Sequence, residues 1–142
     1  MNVYKAVYRP ILTYGCESWI VTEQEKRQVG AVEMKYLRKV RGVTKRDRMR
    51  NEDIRRDLEI EPIEKFIEQR QLGWWGHLQR MNNSTQVKKA WEAKAQGRRG
   101  RGRPKQTWSG VVGKIIVQRN LEWREARRLA QRRKDWNKWI RS

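Results

Sequence analysis

Apolar residues recur along this chain at helical spacing, in short runs separated by glycine, proline and polar clusters. Val3, Val7, Tyr8, Ile11 and Leu12 predict a first helix over Asn2 to Tyr14, with Pro10 as a kink or boundary and Gly15 as its end. Thr22 and Glu25 form a Thr-x-x-Glu capping box, the reciprocal arrangement that satisfies orphan N–H groups at a helix start. Val29, Val32, Tyr36, Leu37 and Val40 then predict one apolar stripe, closed by Gly42. A basic connector over residues 44 to 50 leads to Asn51, read as the cap of a short helix carrying Ile54 and Leu58.

Ile60-Glu61-Pro62 is a break, and Pro62 suits the first turn of the next helix. Its core stripe is read as Ile63, Phe66, Ile67, Trp74, Leu78 and Met81. Gly73 and Gly76 inside that helix each cost about 1 kcal/mol relative to Ala, which suggests close approach by a neighbouring backbone or Trp. Beyond Asn82-Asn83-Ser84 come a short helix with Val87, Ala90 and Trp91, another with Trp108, Val111, Val112, Ile115 and Ile116, and a further one with Leu121, Trp123, Ala126, Leu129 and Ala130 before Trp136, Trp139 and Ile140. The fold class expected is all-α: short helices in two clusters joined by a flexible Arg/Gly-rich linker. The linker is residues 96–107, whose Gln96 to Lys105 stretch has three Gly, one Pro and no apolar residue and so cannot enter a core.

Composition turns this pattern toward a polyanion. The 142 residues hold 35 Lys and Arg against 16 Asp and Glu, a net +19, and are 37% hydrophobic and 36% charged. Residues 1 to 71 carry 16 basic and 12 acidic side chains, whereas residues 72 to 142 carry 19 and 4. Self-repulsion of that size weakens a compact state unless a phosphate backbone relieves it. A membrane partner is not expected, because no apolar run approaches the roughly 20 residues of a spanning helix. Nor does an apolar signal segment follow Met1, so the expected location is intracellular, nucleus or cytoplasm, and not secreted. Cys16 and His77 are single residues of their types, so Cys and His alone cannot build a zinc site or an internal disulfide, and no cofactor is implied.

Three basic clusters stand out. The first is Arg38, Lys39, Arg41, Lys45, Arg46, Arg48 and Arg50; charge at a helix C-terminus complements the macrodipole, but that does not explain seven cations. The second is Arg98, Arg99, Arg101, Arg103 and Lys105, which contains Arg101-Gly102-Arg103-Pro104 and resembles the AT-hook, whose extended Arg-Gly-Arg-Pro core enters narrow A·T-rich minor grooves. A solvated basic linker touching phosphates without reading sequence accounts for the same residues. The third is Arg127, Arg128, Arg132, Arg133, Lys134 and Lys138 on the polar side of the last helices.

Among the eight Trp, Trp74, Trp108, Trp123 and Trp136 fall at stripe positions and read as core. Trp75, one position off the stripe, is the candidate for stacking on an unpaired base. The acids Glu52, Asp53, Asp57, Glu59, Glu61, Glu64 and Glu68 read as a solvated helical face rather than a two-metal centre.

The run Tyr8-Arg9-Pro10-Ile11-Leu12-Thr13-Tyr14-Gly15-Cys16-Glu17-Ser18-Trp19 resembles the signature that follows the palm in LINE-type (non-LTR) retrotransposon endonuclease-reverse transcriptases. Arg38-Lys39 before Gly42, Trp74 with Gly76-His77 and Arg80-Met81, Gly102-Arg103-Pro104 followed by Trp108, and Trp123, Ala130, Arg133 and Trp136 keep the family's order. The resemblance implies the C-terminal portion of such an enzyme: thumb-like helices at 1–50, a post-thumb helical region at 51–95, the basic Arg/Gly/Pro segment at 96–107 and C-terminal basic helices at 108–142. It implies RNA or DNA as partner, with the palm and fingers of a reverse transcriptase as a further one, and no catalysis by these residues, because the palm's aspartates have no counterpart here. A truncated element copy, or a reading frame begun at an internal Met, is the expected origin. Ser109-Gly110 and Arg132 depart from the family's acidic positions, and both changes remove negative charge. The competing expectation is a stand-alone AT-hook-type chromatin protein.

Overall fold

The computed structural model describes residues 2–93, 101–102 and 104–142. Among them there are eight α-helices and no strand, so the chain is all-α. Two compact units divide it, Met1–Arg70 and Gln71–Ser142. The division falls inside the helix Ile63–Arg80. Of the expected linker, residues 96–100 and 103 lie outside the described residues.

In the first unit a π-helical segment, Tyr4–Tyr8, runs into α1, Arg9–Leu12. Pro10 has no N–H and would crowd the carbonyl four residues earlier; the wider π turn just before it, closed by the Arg9 N–H on the Tyr4 carbonyl, accommodates both defects. Gly15, at φ 70°, then turns the chain into a 3-10 turn, Cys16–Ser18.

Helix α2, Glu23–Arg41, starts at the expected capping box, with the Thr22 hydroxyl accepting from the Glu25 N–H and the Glu25 carboxylate accepting from the Thr22 N–H. The Thr22 N–H and hydroxyl, which both donate to that carboxylate, hold the Glu25 carboxyl below its usual range. The helix ends at Gly42 in the left-handed conformation, with the Val43 N–H returning to the Arg38 carbonyl at 3.0 Å.

The buried face of α2 differs from the expected stripe. It is Gly30, Glu33, Met34 and Leu37, while Val32 and Val40 are exposed. A buried carboxylate lies on this face: Glu33 accepts hydrogen bonds from the Tyr4 hydroxyl and the Arg55 guanidinium, so a charged side chain sits in the core. Tyr4, Met34, Leu37, Ile54 and Ile60 pack around it, and Tyr8 stacks on Tyr36 with ring centroids 4.0 Å apart. A second cluster joins Cys16, Ile63 and Ile67. Helix α3, Asn51–Asp57, contributes Ile54 to the core, but its cap position is Arg50 and not Asn51.

Helix α4 spans Ile63–Arg80, with Pro62 one residue ahead and its carbonyl accepting the Phe66 N–H. In the second unit its residues Leu72 and Trp75 join one core with Val111, Val112, Ile115 and Ile116 of α6 (Trp108–Gln118). Ala126 and Ala130 of α7 (Trp123–Gln131) and Trp136 and Ile140 of α8 (Arg133–Arg141) complete it. The expectation of close packing at Gly76 holds: a Cβ there would overlap the Trp136 indole. At Gly73 it does not, since a Cβ would meet nothing within 4 Å.

Trp75 requires a correction. Expected as an exposed stacking residue, it is fully buried, its ring 5.2 Å from that of Trp136 and 5.1 Å from that of Trp123. The missing side chain at Gly76 lets Trp136 reach the helix surface beside it. Trp74, expected in the core, is half-buried against His77.

Candidate nucleic-acid interface

A cation whose charge is spent on a protein acceptor has less to offer a phosphate, so hydrogen bonding sorts the basic residues. Arg38, from the last turn of α2, donates Nη2 to the Met49 carbonyl at 3.0 Å and to Asn51 Oδ1 at 2.8 Å. It straps the connector to the helix. Arg41 pairs with Asp57 at 3.0 Å. These two members of the first cluster brace structure.

The other five, Lys39, Lys45, Arg46, Arg48 and Arg50, are exposed and have no acidic partner among the described residues. The connector that displays them is shaped internally. Asp47 accepts from the Thr44 N–H at 2.6 Å and from its hydroxyl at 2.9 Å, which holds the Asp47 carboxyl below its usual range. Arg48 takes a left-handed φ of 50°, and its N–H reaches the Lys45 carbonyl. Such a conformation is costly for a residue with a Cβ. Arg50 occupies the cap of α3, the end of a helix where the macrodipole disfavours a cation. Both placements cost stability in the free protein.

Lys35 is a member of this patch that the sequence reading missed. It lies one helical turn before Lys39, so the two ammonium groups share a face of α2. The spacing was visible in the sequence; the difference between the buried face and the expected stripe hid its meaning. Lys35, Arg38, Lys39 and Lys45 line a groove of about 730 Å³, together with Val32, Met34 and Val43.

Of the second cluster, Arg101 and Lys105 are exposed, and Arg98, Arg99 and Arg103 lie outside the described residues. The third cluster is exposed throughout α7, α8 and the Arg132 between them, with Arg132 paired to Asp135 at 3.2 Å. Three other cations in this unit serve helix ends, where carbonyls lack internal partners. Lys88, on α5 (Gln86–Glu92) and nearly buried, donates to the Leu78 carbonyl at 2.9 Å. Arg80 donates to the Ala130 carbonyl, and Arg119 to that of Ile140.

The acids that read as a solvated face are partly engaged as well: Asp53 with Arg56, Asp57 with Arg41, and Glu64 within 3.9 Å of Arg55. Among the described residues no three His, Cys, Asp or Glu side chains come together in a way that could hold a metal ion. No helix of the described residues is long and apolar enough to cross a membrane.

No family model and no solved structure matches the chain. Its sequence is similar, however, to an uncharacterised transposon-derived protein of Caenorhabditis elegans, at 27% identity across 96% of this chain. The similarity points to a transposon-related origin. The chain spans about half the length of that relative, 52%.

Proposed function

We propose that this chain is the thumb and post-thumb portion of a transposon-encoded reverse transcriptase and that it grips nucleic acid without performing catalysis itself. Three supports meet in that reading: the ordered motifs from Arg9-Pro10 to Trp136, the similarity to a transposon-derived protein, and the five exposed, unpaired cations around the connector. The last of these carries it. A segment strapped down by Arg38 and shaped by Asp47 presents Lys39, Lys45, Arg46, Arg48 and Arg50 at fixed positions, which suits a repeating phosphate backbone. The segment around Arg101 and Lys105 supplies further phosphate contacts. Such a protein works inside the cell, in the nucleus or cytoplasm, where element RNA and target DNA are found.

Binding of structured RNA, A·T-rich duplex and G·C-rich duplex, measured by fluorescence anisotropy across a salt series, tests the proposal. With about 6–10 phosphates neutralised on a duplex, log Kobs falls against log salt with a slope of roughly −5 to −9. A flat salt response removes the electrostatic account. A strong A·T preference abolished by Arg103→Ala favours the AT-hook chromatin protein instead, and Mg²⁺-dependent primer extension by this chain alone contradicts the non-catalytic assignment.

A further inference from the structure

We infer that the groove between the C-terminal half of α2 and the connector holds one unpaired nucleotide of a nucleic-acid strand. Its base lies on the aliphatic floor, and its phosphate lies among Lys35, Lys39 and Lys45. The inference rests on the nucleic-acid reading above and names the form of ligand this patch takes.

The groove's two chemistries carry the argument. Its floor is Val32, Met34 and Val43, and its rim is Lys35, Arg38, Lys39 and Lys45, with no carboxylate in the lining. Val32 is 47% exposed although it sits mid-helix, an apolar surface that nothing in the free protein covers. The volume of about 730 Å³ falls within the range of roughly 300–1,000 Å³ usual for small-molecule sites.

Like charges one turn apart on a helix repel, so Lys35 and Lys39 destabilise α2 slightly until an anion bridges them. Arg38 adds only its net charge to that rim. Its Nη2 is taken by neutral oxygens, and its Nη1 is buried without an acceptor. The neighbouring Asp47 carboxylate is occupied by Thr44 and is not part of the lining.

A duplex keeps its bases stacked inside and would leave the floor uncovered, whereas a splayed base from a single strand, loop or end covers it. A free inorganic anion would satisfy the rim and ignore the floor. The lining has no aromatic ring, and its neutral polar side chains, Thr44 and Asn51, already hold Asp47 and Arg38, so the base is held by burial and its identity is read weakly.

Methyl-resolved NMR of the full chain tests this, with adenosine 5′-monophosphate as the probe. The expected result is a shift of the Val32 and Val43 methyl signals, with adenosine and inorganic phosphate each binding about tenfold more weakly or worse. The double variant Lys35→Ala/Lys45→Ala should weaken the nucleotide by about tenfold at unchanged far-UV CD. Val32→Ser should weaken the nucleotide while leaving inorganic phosphate unaffected, and a short oligoadenylate should displace the mononucleotide.

Equal binding of inorganic phosphate without methyl shifts overturns the inference, as does displacement by polyglutamate as effective as that by oligoadenylate. So does failure of the oligoadenylate to compete. Binding of a 20-nucleotide strand to the same sample separates the two claims: long-strand binding with a silent groove refutes the nucleotide site alone, and loss of both refutes the proposed function as well.

Discussion

Trp136 donates its indole N–H to the Leu72 carbonyl across 3.0 Å, and its ring occupies the space a side chain at Gly76 would need. One glycine therefore joins α8 to α4. Gly76→Ala should destabilise the second unit by about 1–3 kcal/mol, because the overlap with a buried ring outweighs the gain in helix propensity. Gly73→Ala, three residues earlier in the same helix and facing open space, should stabilise by up to about 1 kcal/mol. Urea unfolding followed by tryptophan fluorescence measures both, and equal effects from the two substitutions would contradict this packing.

Glu33 gives the first unit its corresponding prediction. Truncation to Ala leaves the largely buried Arg55 guanidinium without its main partner and should cost about 3–5 kcal/mol. Tyr4→Phe removes one hydrogen bond to the buried carboxylate and leaves the ion pair in place, so a smaller loss of about 1.5–3 kcal/mol is expected. Denaturant midpoints by far-UV CD distinguish the two.

Cys16 should be a slow thiol. Burial first, and the adjacent Glu17 carboxylate second, push it up to about 11. Alkylation by iodoacetamide at pH 8 should be far slower in the folded chain than in denaturant. A thiol pKa raised on folding means the folded state holds its proton longer, so this group's contribution to stability is intact below about pH 8.5 and declines as pH rises from there toward 11. Burial and the Glu33 carboxylate also push Tyr4 up, which extends the same alkaline loss.

Arg38→Ala should loosen the connector more than it lowers affinity through charge alone. Two donations from one guanidinium are lost, at about 1.5–3 kcal/mol for hydrogen bonds to a charged group. Hydrogen exchange should rise at the amides of residues 43–51. Substituting exposed Arg46 by Ala should leave that exchange unchanged and reduce the salt slope by about 1.

Much of the architecture was legible in the sequence because its signals are local. The Thr22/Glu25 box and Gly42 appear where their chemistry placed them, and the α6 stripe of Val111, Val112, Ile115 and Ile116 is buried as read. The errors have a common physical source, since each needed knowledge of a partner distant in sequence. Periodicity points Val32 and Val40 to the core because nothing local reveals that Tyr4 hydrogen-bonds Glu33 and Arg55 neutralises it. Trp74 and Trp75 stand at i+7 and i+8 from Ile67, so periodicity alone could not choose between them. Leu72, three residues before Trp75, was the available clue.

The candidate site was half legible for the same reason. Counting cations located the patch, but a count treats Arg38 and Arg41 like Arg46, and it passed over Lys35, whose place in the groove depends on which face of α2 is turned inward.

Lys88, Arg80 and Arg119 closing helix ends have a practical corollary for handling the protein. Mobile ions weaken exposed charge pairs strongly and sheltered ones little, and Lys88 at its carbonyl is 5% exposed. Phosphate contacts at the surface should therefore release at ionic strengths that leave these helix ends closed. On the proposed function, folding and nucleic-acid retention should separate along a salt axis, with any bound polynucleotide released in concentrated salt while the helices stay intact.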